Sequence, residues 1–415
     1  MSHVERLAKE IVTELRAKGH IAYFAGGFVR DRLLGIPSSD IDIATSALPN
    51  EIAGIFPEHF LVGAQFGVCV VRHKNHTFEV ATFRQDVAYK DGRRPTEVLL
   101  RSTPEEDAKR RDFTVNGMFF DPLAEEVLDF VGGQEDLKRQ VIRTIGKPQE
   151  RFEEDRLRMI RAVRFAYRLG FHIEEDTRQA IITFADTLLP SVSMERIWQE
   201  LTKIRQGPKF TEALLEMYHL GLLGICLPPL RSLSLNALQG HIKGLEAVSE
   251  KVPTILILSE LFAPEDLAFV LGLGIYLRAS KEETKWIETF LEIKGHYARD
   301  PNFTNRYEWA QLLASRRSKA CFEVLFCKLD RKEHKIAHER LHTFEESITS
   351  HVERIRKKKP LCQAKDLQEL GIVPGKKMGQ FLQLAERLAI EHDLRSREEV
   401  IQKLLQDPAW IDFHS

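Results

Sequence analysis

The apolar residues of this chain change their spacing once, near residue 150. Before that point they fall in short β-branched runs such as "IAYFAGG", "DIDIATS", "FGVCVVR" and "TFEVATFR". After it Leu, Ala, Glu, Lys and Arg recur at helical spacing to the C-terminus. A period of two builds strands and a period near 3.6 builds helices. The chain is therefore expected to be α+β, a head of mixed β-sheet with helices followed by an all-helical remainder. Its 415 residues exceed what one core usually serves, so more than one domain is expected.

Within the head, Val4, Leu7, Ala8, Ile11, Val12 and Leu15 share one helical face, and Gly19 stands where such a helix would stop. "IAYFAGG" reads as a strand and "FVRDRLLG" as a helix opening after Gly26 and Gly27. "DIDIATS" is a second strand, and the runs on either side of "HKNH" form a hairpin. "CLPPLRSLS" and "KKKPLCQAKD" mark further candidate boundaries.

Bulk properties narrow the function class. Sixty basic and 61 acidic side chains leave a net charge of −1, which excludes a binder coated in positive charge but not a local basic groove. Five cysteines without C-x-x-C spacing disfavour a zinc knuckle or a disulfide framework and suit a reducing, cytoplasmic setting. The N-terminus is charged throughout and no run approaches the roughly 18 apolar residues of a membrane span, so a soluble, intracellular protein is expected.

Asp40 and Asp42 are two residues apart in an otherwise apolar run, so on a strand they project together while Ile41 and Ile43 face the core. Like charges so placed repel and need a partner. Divalent cations fit, because Mg²⁺ takes carboxylate oxygens together with substrate phosphates, and two metals can hold both oxygens of an in-line displacement. A solvated strand end is the other reading. Gly26 and Gly27 ahead of a helix carrying Val29 and Arg30 add backbone N–H groups, a helix dipole and a cation for a phosphate. Neither a P-loop nor a dinucleotide fingerprint is present.

Four ordered motifs, "GGFVRDRLLG", "SSDIDIAT", "RRDFTVNGMFFDP" and "EEDRLRMIRAVRF", closely resemble those of class II tRNA nucleotidyltransferases, the bacterial CCA-adding enzymes and their poly(A) polymerase relatives. The resemblance covers roughly residues 20 to 205 in register; beyond that it is architectural. It implies a polymerase-β-like nucleotidyltransferase head over 1–140, a base-recognising helical neck over 141–205, a helical body over 206–345 and a tRNA-binding helical tail over 346–415. It implies that Asp40 and Asp42 are catalytic and bind Mg²⁺, and that Gly27, Arg30 and Arg111 contact the nucleotide, with Asp112 on its sugar side. Glu79 is either a third acidic group or an edge-strand glutamate, and Arg110 either a phosphate partner or a solvated side chain.

"RFEEDRLRMIRAVRFAYRLG" has no internal Gly or Pro and reads as one strong helix, with Asp155 and Arg158 neighbours on a face continued by Arg161 and Arg164. One reading is a surface ion pair. The other uses the fact that a carboxylate only accepts and a guanidinium only donates. Cytosine and adenine each present an amino donor beside a ring-nitrogen acceptor, whereas uracil sets a carbonyl against the carboxylate and guanine reverses the order. The pair could therefore accept CTP and ATP without a nucleic acid template. This agrees with the family's E-D-x-x-R motif, here Glu154, Asp155 and Arg158, and leaves Arg161 and Arg164 for the nucleotide or the RNA end.

In relatives "DFVGGQEDLKRQVIRTIG" acts as a hinge, although Gly133 also suits a plain turn. The basic stretch "YKDGRRP" (89–95), with Lys90, Arg93 and Arg94, is either a loop of the kind found in relatives that add the terminal adenosine or a solvated turn. For RNA, residues 143–168 carry eight basic side chains against four acidic ones, and "RIRKKKP" (354–360) forms a second concentration. The expected function is addition or repair of the tRNA 3′-terminal CCA from CTP and ATP, the alternatives being poly(A) polymerase, an A-adding enzyme and a non-catalytic tRNA-binding protein. An HD-type phosphohydrolase is rejected, since His392 and Asp393 lack companion histidine pairs.

Overall fold

A seven-stranded mixed sheet organises the head. Its strands are β1 (Ala22–Ala25), β2 (Asp42–Thr45), β3 (His59–Phe60), β4 (Val68–His73), β5 (His76–Thr82), β8 (Phe119–Asp121) and β9 (Glu126–Leu128), in the spatial order β3-β4-β5-β2-β1-β8-β9. Only β2 and β5 are parallel; the other neighbours are antiparallel. A separate hairpin joins β6 (Arg84–Tyr89) to β7 (Pro95–Leu100). The computed structural model describes residues 2–61, 66–89, 95–100 and 102–414. Lys90, Arg93 and Arg94 of the basic stretch lie outside them.

Helix α1 (His3–Ala17) forms where its periodicity predicts. Ser2 and Glu5 close a capping box at its start, and Leu7, Ala8, Ile11, Val12 and Leu15 are buried as it packs on β1 and β2. Each large apolar side chain in that stripe contributes about 1.5–3 kcal/mol by leaving water. Helix α2 (Gly27–Leu33) follows β1, and α3 (Pro49–Ile55) follows β2. The β4–β5 turn at Lys74 and Asn75 has positive φ at both residues, as the favoured two-residue hairpin turns require.

Helix α4 (Pro104–Lys109) leads into the "RRDFTVN" segment, which runs through a short 3₁₀ turn at Thr114–Asn116 into β8. The Oδ1 of Asp129 accepts the N–H groups of Val131, Gly132 and Gly133 and its Oδ2 that of Gln134, which starts α5 (Gly133–Arg139). Asp136 is buried from solvent and accepts from Thr114 Oγ1 and from Arg143 Nε at 2.9 Å, tying α5 to the motif segment. Gly133 has no room for a side chain: a Cβ there would collide with the Thr114 carbonyl and come within 2.9 Å of Met118. Gly133→Ala is expected to lower unfolding free energy by about 1–3 kcal/mol in urea titration; no change would mean that α5 shifts at no cost.

The neck departs from an all-helical expectation. After β10 (Val141–Ile142) come α6 (Pro148–Glu154) and α7 (Leu157–Leu169), and then β11 (His172–Ile173), which pairs in parallel with β10. Helices α8 (Glu175–Phe184), α9 (Leu188–Ser191), α10 (Met194–Arg205), α11 (Phe210–His219) and α12 (Leu222–Cys226) complete the first of two compact units, residues 1–234.

The second unit, residues 235–415, is helical throughout its described residues, from Leu235–Ile242 to Pro408–His414. Part of its core is aromatic, with Phe303, Trp309, Phe322 and Phe326 buried together, and part is a C-terminal cluster around Leu367, Phe381, Val400, Leu404 and Trp410. The 345/346 division expected from sequence falls inside one unbroken helix, Arg331–Arg356. Among the described residues no helix is long and apolar enough to cross a membrane.

Candidate active site

Strand register brings the glycine corner and the acidic pair together. In the β1–β2 pairing Ala25 stands opposite Asp42, so Asp42 lies beside the Gly26–Gly27 corner. In the parallel β2–β5 pairing Ile43 stands opposite Val80, which sets Glu79 beside Asp42 on the same side of the sheet. Asp40 lies in the extended segment just before β2 rather than on the strand, yet Asp40 and Asp42 are both exposed while Ile41 and Ile43 are buried. The alternation thus begins before the hydrogen-bonded ladder does.

Both aspartates line a cavity of about 610 Å³ together with Gly26, Gly27, Arg30, Arg111, Asp112, Asp155, Arg158 and Arg161. Among the described residues neither aspartate makes an ion pair. Although Asp42 reaches solvent, the cavity walls strip part of the water from its carboxyl, which is pushed up to about 6 first by that loss and then by Asp40 and Glu79, with Arg111 partly offsetting the rise. No three His, Cys, Asp or Glu side chains among the described residues form a metal cage by themselves. Two carboxylates that have no ion-pair partner among the described residues fit a divalent cation, which can leave several of its positions to other oxygen ligands.

The cationic wall is fixed by carboxylates. Arg30 is buried: its Nε and Nη2 donate to Asp31 Oδ1 at 2.8 and 2.6 Å, and its Nη1 donates to Asn116 Oδ1 at 2.6 Å. Arg110 and Arg111 both donate to the buried Asp107. The Nη1 of Arg111 comes so close to Gly26 that a Cβ there would stand 3.0 Å from it, and Gly26 also has φ +67°, which favours glycine.

Asp112 is buried, accepting from the Phe113 N–H at 2.8 Å, from Asn116 Nδ2 at 3.2 Å and from Arg161 Nε at 2.8 Å. Burial alone would raise its carboxyl, but the charge and hydrogen bonds of Arg161, with Asn116, hold it at about 2. The stability it contributes is present above the ordinary value of 3.8 and is lost as pH falls through about 2. Asp112→Asn is expected to cost about 3 kcal/mol in urea titration at pH 7, because it leaves the Arg161 charge short of its partner. A change under about 1 kcal/mol would mean that Glu200, 3.8 Å from Arg161, already balances that charge.

Residues 151–170 do not form the single helix expected. The chain breaks at Asp155, where φ −146° and ψ 103° are extended, and Asp155 Oδ1 accepts the Leu157 N–H at 3.1 Å to start α7. A short acceptor side chain bonding its own backbone competes with helix continuation. Asp155 and Arg158 are consequently not ion-paired to each other. Asp155 Oδ2 accepts from Arg196 Nη2 at 2.8 Å, while Arg158 Nη1 donates to Glu154 Oε2 at 2.6 Å and to the Arg151 carbonyl, and its Nη2 to the Arg110 carbonyl. Each is held separately, and both line the cavity.

A solved structure described as the Bacillus stearothermophilus CCA-adding enzyme in complex with CTP shares the fold over 100% of both chains, with a TM-score of 0.80 and 30% identity. The chain belongs to the CCA-adding enzyme family. Residues 22–143 match the Poly A polymerase head domain, and residues 170–233 match a probable RNA- and SrmB-binding site of polymerase A. The CCA-adding enzyme of Geobacillus stearothermophilus is 48% identical over 204 residues, 49% of this chain and 50% of that protein, so the match spans about half the length of the curated relative. The Thermotoga maritima CCA-adding enzyme, solved with tRNA, shares the fold at a TM-score of 0.67 and 21% identity. Divalent-metal use is general among nucleotidyltransferases of this kind.

Within this CCA-adding-family cavity, the residues expected from sequence are gathered with one exception. Arg164 is not among the lining residues; it is buried against Glu200 at 2.8 Å, and burial, followed by the like charge of Arg161, lowers its guanidinium to about 10. Sequence reasoning did not single out Ser38, Phe66, Arg84 and Arg168 as lining residues, nor the supports Asp31, Asp107 and Arg196. Asp107 had a signal, since it precedes Arg110 and Arg111 by three and four residues. Arg84 and Phe66, joined by a 2.6 Å hydrogen bond from Arg84 Nη1 to the Phe66 carbonyl, had none.

Proposed function

We propose that this chain is a template-independent tRNA nucleotidyltransferase that adds or repairs the 3′-terminal CCA of tRNA from CTP and ATP, releasing pyrophosphate. The observation that carries the reading is that one cavity is lined both by the unpaired Asp40 and Asp42 and by Asp155 and Arg158. Whole-length similarity to a CCA-adding enzyme solved with CTP supports it. The proposed setting is cytoplasmic, which suits five cysteines that are all free.

Asp40 and Asp42 would hold Mg²⁺, which when bound neutralises triphosphate charge and lowers the pKa of a coordinated hydroxyl. Arg111 and Arg30 border the corner where the triphosphate would lie. Arg111 offers Nη1, and Arg30 orients Asn116. Asp112 and Asn116 would meet the ribose. The RNA 3′-hydroxyl attacks the α-phosphorus of the nucleotide, forming the new P–O bond as the bond to pyrophosphate breaks.

Asp155 and Arg158 would read the base. A carboxylate has about four acceptor positions, and Asp155 uses one for Leu157 and one for Arg196, leaving capacity for an exocyclic amino group. Because Arg196 and Glu154 hold the two readers independently, their spacing is set before a nucleotide arrives. Domain roles follow the same reading: head for chemistry, neck for the base, body and tail for tRNA. In the second unit Lys358 and Lys359 line a cavity of about 560 Å³ with Gln311, Gln363, Gln383 and the Arg354–Glu386 ion pair, and the two lysines suit RNA phosphates.

The test incubates purified protein and Mg²⁺ with tRNAs ending before CCA, after C and after CC, supplying each nucleotide separately. Ordered addition of C, C and A that then stops is the expected result. A long A tail identifies a poly(A) polymerase, extension of the CC-ended substrate alone an A-adding enzyme, and no extension a binding protein.

A further inference from the structure

Asp107 does not line the cavity, yet its side chain is 1% exposed and fully engaged with groups that do. Its Oδ1 accepts from Arg110 Nε at 2.8 Å and from the backbone N–H of Arg84 at 3.2 Å. Its Oδ2 accepts from Arg111 Nε at 3.1 Å and Nη2 at 3.0 Å. The local sequence explains the geometry. Pro104 and the Thr103–Glu106 capping box start α4, and positions three and four residues after Asp107 fall on its face of the helix, where Arg110 and Arg111 stand.

The contacts on Asp107 use the Nε and Nη2 edge of both guanidinium groups. In Arg111 this turns Nη1 toward Gly26, the corner beside Asp42, while the guanidinium lies 5.0 Å above the Phe119 ring. Without Asp107 an unpaired Arg111 would face two bare carboxylates, Asp40 and Asp42, and Coulomb attraction would draw it onto them. It would then occupy the place required for a metal ion and a triphosphate.

We propose that Asp107 is a positioning residue for triphosphate binding, holding Arg110 and Arg111 by one edge so that Arg111 presents Nη1 to the triphosphate instead of closing on Asp40 and Asp42. The inference rests on the nucleotidyltransferase reading above. It adds a residue outside the cavity whose effect passes through two arginines inside it. Through the Arg84 N–H, Asp107 also fixes the first residue of β6, so the hairpin and the arginine pair share one anchor.

The experiment measures CTP affinity calorimetrically in the absence of RNA, with and without Mg²⁺, for the full chain and its variants, alongside a thermal melt. Asp107→Asn is expected to weaken CTP binding about tenfold or more, since charge-assisted hydrogen bonds that fix Arg111 are lost. In steady-state assays KM for CTP should rise more than kcat falls. In an Arg111→Ala background the same substitution should add less than about a twofold further loss. Asp107→Glu keeps the charge but displaces the guanidinium groups, and should lose a few-fold, between wild type and Asn.

A folded Asp107→Asn protein with wild-type CTP affinity overturns the proposal, as does an equal loss with and without Arg111. If the Asn variant fails to fold, the Glu variant decides, and unchanged affinity there overturns it too. A wild-type chain that binds no triphosphate refutes the functional reading, whereas a wild-type chain that binds beside an unaffected Asn variant refutes only the role of Asp107.

Discussion

Asp42→Asn is expected to reduce nucleotide incorporation by at least about 1000-fold while raising the thermal stability of the unliganded protein. On the proposed function, the loss of rate follows because Asp42 would be a ligand of the ion that neutralises the triphosphate. The gain in stability follows from electrostatics: loss of water around the Asp42 carboxyl, and then the charges of Asp40 and Glu79, hold it at about 6 instead of 3.8, and among the described residues it has no ion-pair partner. A raised folded value means that the folded chain binds the proton more tightly than the unfolded one. The contribution of this site is therefore fully present below about pH 4 and is lost as pH rises through about 6. Asparagine removes the repulsion at every pH, so the melting temperature of the variant should exceed that of wild type at pH 7.5, with the difference shrinking toward pH 5. A melting temperature below wild type at pH 7.5 would mean that Asp42 carries a structural bond. Divalent-ion affinity should likewise fall as pH drops through about 6.

The second large effect concerns base choice. Asp155→Ala and Arg158→Ala are each expected to reduce discrimination of CTP and ATP against UTP by about 10–100-fold, the range of one bidentate base contact. The readout is the ratio of kcat/KM values on a tRNA lacking CCA. The two variants should fail differently. Asp155→Ala leaves Arg196 without this acceptor and removes the hydrogen bond to the Leu157 N–H at the start of α7, so some loss of stability should accompany it. Arg158→Ala leaves Glu154 still paired with Arg151 and should be milder in a melt. Unchanged discrimination in both, with folded protein, would remove the neck from base recognition.

The sequence made some of this legible because the forces involved were local. The α1 stripe and the β4–β5 hairpin follow from periodicity and from a turn that tolerates positive φ at Lys74 and Asn75. The same-side placement of Asp40 and Asp42 follows from alternation alone, and holds although the ladder starts only at Asp42. The break at Asp155 was not legible, because both flanks are strong helix formers and the break depends on a side chain capping its own backbone and on Arg196, 41 residues away. The β6–β7 hairpin was missed for a related reason: "RQDVAY" and "PTEVLL" lack a clean alternation and are strands only because they pair with each other. Arg164 shows the converse. Its spacing continues the face of Arg158 and Arg161, yet the buried Glu200 on α10 takes it out of the cavity.

In the proposed reaction Asp40 and Asp42 together hold a divalent ion against a bound triphosphate. Electron paramagnetic resonance of Mn²⁺ titrated into the protein with CTP tests it without requiring turnover. Wild type should show a tightly held, CTP-dependent Mn²⁺ population that the Asp40→Asn/Asp42→Asn double variant lacks while still melting cooperatively. An undiminished Mn²⁺ population in that folded double variant would contradict the account.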